Sequence, residues 1–335
     1  LIAIAKRVFG YDVHGFTITN ADARYEEETL VAHAVERLGV RHTALPVTVS
    51  DFLPRLRELV RHHDAPVYTI TYYAHWLLMR SIAEHGYRVS VSGSAADELF
   101  SGYYDHFLAF LYDVRDEETT QQAERRAWET HVRPTVRNPY LQNAQLFVED
   151  PDRRDHIFLN ADRFAASLRV DWSEPFTEQR YTGHLLRNRM LNEMFHEAVP
   201  IILHEDDLNA MYYSIENRSP FLDRELFEFC YRIPTRHLIR DGRAKAVLRD
   251  AVRGIAPDEI VDNRRKVGFN APVFSFLDVQ NLEVRASLLA DSPVFDHVRR
   301  ECIEGMLAKR NLPNSESKFL FSFVATKMFL EEHSP

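Results

Sequence analysis

The stretch Ser90-Val91-Ser92-Gly93-Ser94-Ala95-Ala96-Asp97-Glu98-Leu99-Phe100-Ser101-Gly102-Tyr103 sets two adjacent acids after a loop of Ser, Gly and Ala. Small residues leave backbone N–H groups open, which suits an anion. Asp97 and Glu98 would repel that anion unless a cation stood between them. The stretch therefore asks for a negative ligand and a metal ion together. A second group, Asp207-x-x-x-Met211-x-x-Ser214-x-Glu216-x-Arg218-x-Pro220-Phe221-Leu222-Asp223, alternates Glu216, Arg218 and Asp223 in sign around a proline that forces extended or turned backbone. It reads equally as a buried ion network bracing a site and as a helix end carrying ordinary surface salt bridges. A third group, Gly242-Arg243-Ala244-Lys245-x-x-Leu248-Arg249, opens a helix. A fourth, Arg264-Arg265-Lys266-Val267-Gly268-Phe269, puts three cations before a glycine. Such a triplet could clamp a polyphosphate, although a solvated turn is the commoner use.

These residues need elements to hold them. Val13–Thr19 alternates with β-branched residues and reads as a strand. Glu26–Leu38 has helical apolar spacing and stops at Gly39. His42–Val49 is a second strand, Phe52–Val60 and Tyr73–Glu84 are helices, and Tyr87–Val91 is a third strand. This order predicts a parallel α/β sheet, on which ligands bind at the carboxyl ends of the strands, where Ser92–Asp97 sits. Beyond Tyr104 strand signals nearly vanish. Phe107–Tyr112, Gln121–Trp128, Leu185–His196, Leu208–Ser214 and Ala244–Val252 read as helices, and Arg133–Asp152, rich in Pro, Asn and Asp, as a surface loop. Leu1–Val8 reads as the middle of a helix with no cap.

A chain of 335 residues, 45% hydrophobic, can bury a sizeable core. Its net charge of -9, without a basic block, argues against nucleic acid as a partner. No apolar run approaches the roughly 18–20 residues of a membrane span. The two cysteines, Cys230 and Cys302, make no motif, and a reducing cytoplasmic setting is expected. His62 and His63 are adjacent, not four apart, so they do not share a helical face as zinc ligands.

The four groups, in this order, resemble the synthetase domain of the glutamine-dependent asparagine synthetases. Phe16-Thr17-Ile18 with Tyr25-Glu26-Glu27, and Leu38-Gly39-x-x-His42, resemble that domain's second strand and helix, so the likeness runs along nearly the whole chain. It implies an ATP-pyrophosphatase fold: an α/β nucleotide-binding core over 1–106, then the mostly helical part of the same domain over 107–335. It also implies a ligase that uses ATP and Mg²⁺ to adenylate a carboxylate, aspartate or a related acid such as a uronic acid, which ammonia from a glutaminase domain then attacks. By the resemblance, Ile18, Ser92 and Gly93 contact ATP, and Asp97 helps hold Mg²⁺. Lys266 neutralises the departing pyrophosphate, while Glu216, Arg218 and Asp223 brace the site, with Glu216 counted among the catalytic positions. It leaves room for a homodimer.

Three departures qualify these expectations. The family's pyrophosphate loop, Ser-Gly-Gly-x-Asp-Ser, would immediately precede Leu1, and its glutaminase domain is also absent. The expectation is a fragment that hydrolyses no glutamine and binds ATP poorly. Ser94 stands where asparagine synthetases carry a Glu that assists ammonia attack, and Ala95 and Ala96 replace Gly and Ser. A serine is no base at neutral pH without a partner. No arginine appears near Tyr68–Tyr73, where the family tends to have one; Tyr72-Tyr73 reads either as a sugar-stacking pair or as core. A lactam or macrolactam synthetase and a non-catalytic nucleotide-binding fragment are the competing readings.

Overall fold

The structure, a computed structural model, describes residues 1–19, 28–46, 51–157, 161–174, 176–264 and 272–333. Its first third follows the order read from the sequence: α1 (Ile2–Arg7), β1 (His14–Thr19), α2 (Glu28–Leu38), β2 (Arg41–Pro46), α3 (Phe52–His63), α4 (Ile70–Glu84) and β3 (Val89–Val91). Gly39 ends α2 at φ +57° and Gly86 follows α4 at φ +82°, conformations that cost glycine little. The inward stripe of α3 is Phe52, Leu56, Leu59, Val60 and His63, spaced to lie on one helical face.

The parallel pairing is present, but among the described residues it is divided between two sheets. β1 runs parallel to β2 from His14↔Arg41 to Thr19↔Pro46. β3 pairs instead with β4 (Glu216–Arg218), in parallel, from Val89↔Glu216 to Val91↔Arg218. Glu-Asn-Arg has none of the β-branched or aromatic character that marks strands, so β4 is set by its partner and by the fully buried Ile215 before it.

The remainder is helical: α5 (Ala96–Phe100), α6 (Tyr104–Asp113), α7 (Glu118–His131), α8 (Leu146–Glu149), α9 (Ala161–Ala165), α10 (Leu185–Phe195), α11 (Ala198–Tyr212), α12 (Arg224–Tyr231), α13 (Ala246–Ala251), α14 (Asp258–Val261), α15 (Leu282–Leu289), α16 (Arg300–Leu307) and α17 (Asn314–His333). No described helix is long and apolar enough to cross a membrane.

The largest core joins α3 and α4 to residues 273–328, with Leu56, Tyr73, Phe276 and Phe321 at its centre. Tyr73 is 1% exposed, packed edge-on against Phe52 and Phe276, which places it in the core rather than on a ligand. A second core lies between α6, α7 and α10 and takes in Val136, Leu141, Leu146 and Phe147. The reading of Arg133–Asp152 as a surface loop is therefore corrected. The Pro and Asn residues make short turns there, and Val136, Leu141, Leu146 and Phe147 point inward while Tyr140 and Val148 stay exposed.

Candidate active site

The ladder between β3 and β4 continues one step past the strands, where the Ser92 N–H donates to the Arg218 carbonyl at 2.9 Å. The chain then leaves the sheet through Gly93 and Ser94 and turns at Ala95, whose φ of 71° is left-handed, into α5. A side chain at Gly93 would meet nothing within 4 Å, so this point of the loop is open. Ser92 Oγ lies 3.1 Å from both Ser94 Oγ and Ser219 Oγ, and it donates to Ser94. Having one proton, Ser92 receives Ser219's. Ser94 Oγ in turn donates to Asp206 Oδ2 at 3.3 Å, while Asp206 Oδ1 lies 3.3 Å from His75 Nδ1.

Asp206 is 5% exposed and comes from the inner face of α11, one turn before the fully buried Asn209. The Asn209 amide donates to the Tyr72 carbonyl at 3.0 Å, and its oxygen faces His63 Nε2 at 3.1 Å, pinning α11 to α3 and α4. Burial first, then Asp206 and Glu205, push the Tyr72 hydroxyl above its ordinary pKa, so Tyr72 stays protonated beside them. The motif read from the sequence began on Asp207, which is exposed; the inward acid is its neighbour.

On the far side of the loop, Asp97 Oδ1 meets Lys245 Nζ at 2.9 Å. Lys245 precedes α13 with φ 57°, and its N–H donates to the Ser101 carbonyl at 3.2 Å. The Asp97 side chain lies against Gly102 so closely that a Cβ there would fall 1.5 Å from Asp97 Oδ1. Glu98 is turned inward, where it accepts the Tyr103 hydroxyl at 2.5 Å. Burial, then Glu98, raise the Tyr103 hydroxyl far above its ordinary pKa, keeping it a donor. Beside Lys245 and Gly102 a cavity of about 400 Å³ opens toward β1 and α2, with Phe16, Val35 and Phe107 on its apolar side and Lys245 and Arg264 on its basic side.

Of the residues singled out in the sequence, Ser92, Gly93 and Ser94 share this one loop and Asp97 the first turn of the helix it enters. Ile18 belongs to the other sheet, near the carboxyl end of β1 opposite Leu45, where it lines a separate cavity of about 280 Å³. Glu216 opens β4, two residues before the ladder's end, and pairs with Arg218 at 2.9 Å. Both side chains are about 60% exposed, so of the two readings this pair matches the surface salt bridge. Asp223 caps α12, accepting the Leu226 N–H at 2.9 Å. Tyr25 and the run from Arg265 to Phe269, Lys266 included, lie outside the described residues, while Arg264 at the start of that motif lines the larger cavity. Reasoning from sequence missed Asp206, His75, Ser219 and the pairing role of Lys245. Only Ser219 and Lys245 lay inside motifs already noted.

The buried ion network lies elsewhere, between α6 and α10. The ligand atoms of Asp105, His106 and Glu193 gather closely enough to hold a metal ion. Arg189 already fills that role, with Nε 3.2 Å from Asp105 and 3.1 Å from Glu193. Burial alone would raise the Asp105 pKa, but His156, His106 and Arg189 outweigh it and hold the carboxyl far below its ordinary range.

The family model for asparagine synthase matches residues 1–331. Asparagine synthetase [glutamine-hydrolyzing] 1 of Bacillus subtilis (strain 168) is 22% identical over 322 residues, 92% of this chain and 50% of that protein. A putative asparagine synthetase [glutamine-hydrolyzing] of Mycobacterium bovis is 26% identical over 297 residues, 82% of this chain and 44% of its own length. The amidase chyE of Penicillium rubens is 23% identical over 287 residues, 75% of this chain and 42% of its own. The chain thus spans half or less of each of these relatives. With the family match running along almost its whole length, the chain belongs to the asparagine synthase family.

Proposed function

We propose that this chain forms the synthetase part of an ATP-dependent amidotransferase, built on an ATP-pyrophosphatase core over 1–106 with the helical part over 107–335. The observation that carries the reading is the Ser92–Asp97 loop. It stands at the carboxyl ends of two parallel strands, with Gly93 open and Asp97 balanced by Lys245.

A carboxylate is a poor electrophile, and joining it to AMP creates a leaving group. The triphosphate must first be neutralised before a second anion can approach. Ser92 and Gly93 border the nucleotide, and Ile18 contacts its base. Asp97 supplies one carboxylate oxygen, which fits the way Mg²⁺ is held in phosphate-transfer sites, by one or two carboxylates together with phosphate oxygens. Mg²⁺, when bound, offsets triphosphate charge. Lys266 neutralises the departing pyrophosphate, and Glu216 opens the strand β4 whose parallel pairing with β3 carries the loop. Aspartate or a uronic acid is the acceptor, ammonia released from glutamine the nitrogen source, and the cytoplasm the setting.

The test is carboxylate-dependent release of pyrophosphate from ATP, by the protein expressed from its complete reading frame, with aspartate, glucuronate and galacturonate as trial acids. Failure with all three counts against the reading. A second reading, a lactam or macrolactam synthetase, is favoured by Ser94 in the place of Glu. Product formation that needs no added ammonium or glutamine would select it.

A further inference from the structure

The hydrogen-bonded run at Ser94 has an unusual order. In hydrolases built on a serine nucleophile, the imidazole lies between hydroxyl and carboxylate and takes the hydroxyl's proton. Here the carboxylate lies in the middle: Ser94 Oγ contacts Asp206 Oδ2, and His75 Nδ1 contacts Asp206 Oδ1, each at 3.3 Å. Ser219 and Ser92 feed donors toward the same carboxylate from the other side of Ser94. Ser94 is therefore poorly placed to become a nucleophile itself. It is well placed to pass a proton to a carboxylate that His75 and the pinned helix α11 keep in one orientation.

We propose that Asp206, acting through Ser94 and oriented by His75, takes the proton that an amine nucleophile loses on attacking the activated carboxyl. This rests on the adenylation reading above. The amine lone pair forms the C–N bond. The C–O bond to the adenylate's phosphate breaks, and its electron pair leaves with AMP. The nitrogen's proton passes to Ser94 Oγ as the Ser94 proton passes to Asp206, which later returns it to water. The chain thus carries its proton acceptor on α11, 112 residues beyond the loop, rather than in the loop itself. A purely structural role for Asp206 would need only the two hydrogen-bond partners, which an amide side chain can also satisfy. The two roles therefore separate in an Asn variant.

The test uses the protein from its complete reading frame, with ATP, ammonium chloride and whichever of aspartate, glucuronate or galacturonate supports exchange of pyrophosphate into ATP. In Asp206→Asn, exchange stays within about threefold of wild type while amide formation at saturating ammonium falls about 10²-fold or more, the range of a lost general base. Adding Ser94→Glu to Asp206→Asn returns about 10-fold or more of that loss, because a carboxylate again faces the carboxyl. Exchange also reports that the variant is folded. Amide formation at the wild-type rate in Asp206→Asn would overturn the proposal, as would equal loss of exchange and amide formation in a variant whose circular dichroism matches wild type. Absence of exchange in the wild type with all three acids overturns the adenylation reading, and this inference with it.

Discussion

The Lys245 ammonium lies 2.9 Å from Asp97 Oδ1, and behind that carboxylate stands the bare α-carbon of Gly102. The pair joins the start of α5 to the start of α13, two elements about 150 residues apart in sequence. Its geometry depends on an atom that glycine lacks.

Gly102→Ala is expected to force Asp97 out of this arrangement. The added Cβ would sit 1.5 Å from Oδ1 and 2.4 Å from Cγ, so the side chain must rotate away from Lys245. Overpacking of this kind costs about 1–3 kcal/mol. Thermal unfolding should show a lowered midpoint, together with loss of pyrophosphate release. An unchanged midpoint would mean that the turn relaxes without disturbing Asp97.

Asp97→Asn and Lys266→Ala should each abolish adenylate formation while leaving the fold intact, because each removes charge that the proposed triphosphate site needs. Pyrophosphate release and near-ultraviolet circular dichroism measure the two halves of this statement. Near-normal release by either variant would remove that residue from the mechanism.

Arg189→Met should be among the most destabilising single changes in the protein. The guanidinium is buried, with Asp105, Glu193, Glu178 and Glu197 all in salt-bridge contact. Removing one partner from a buried ion network typically costs about 3–5 kcal/mol; here Glu178 and Glu197 keep Arg154, and the loss falls on the buried Asp105 and Glu193. Urea denaturation would measure this, and a loss under about 1 kcal/mol would show that solvent reaches the cluster.

Stability should fall on the acid side as the clamp between α3 and α17 titrates. Arg61 and Arg57 hold the Glu332 carboxyl down to about 2. A carboxylate depressed in the folded state contributes stability above its unfolded pKa of about 4.3, and that contribution is lost as pH falls toward the folded value. Glu332→Gln should flatten the dependence of unfolding free energy on pH between about 4 and 2. An unaltered slope would show that the clamp does not contribute in solution.

The first 100 residues were largely legible because their signals are local. The stripe of α3 and the glycines after α2 and α4 each announce an element without reference to the rest of the chain. β4 was not legible, since Glu216-Asn217-Arg218 becomes a strand only by lying against Val89–Val91. The site divides in the same way. Ser92, Gly93 and Asp97 stand together in sequence and could be read there, whereas Asp206 and His75 reach Ser94 only through the packing of α11 on α4. Asp206 and Asp207 are chemically identical neighbours, and only the rotation of α11 decides which one faces inward.

The division of the strands into two pairs has a consequence for local opening. β3 and β4 are three residues each, with Val89 and Val91 largely exposed, and a two-stranded ribbon is marginally stable on its own. The loop that begins at Ser92 therefore hangs from a ladder able to unzip without melting the helical cores. The amide proton of Ser92, held by the Arg218 carbonyl, should exchange with solvent by sub-global opening, well ahead of those in the buried turns of α4 and α17. The molecule thus places its candidate chemistry on one of its least protected segments and keeps its rigidity in the helices around it.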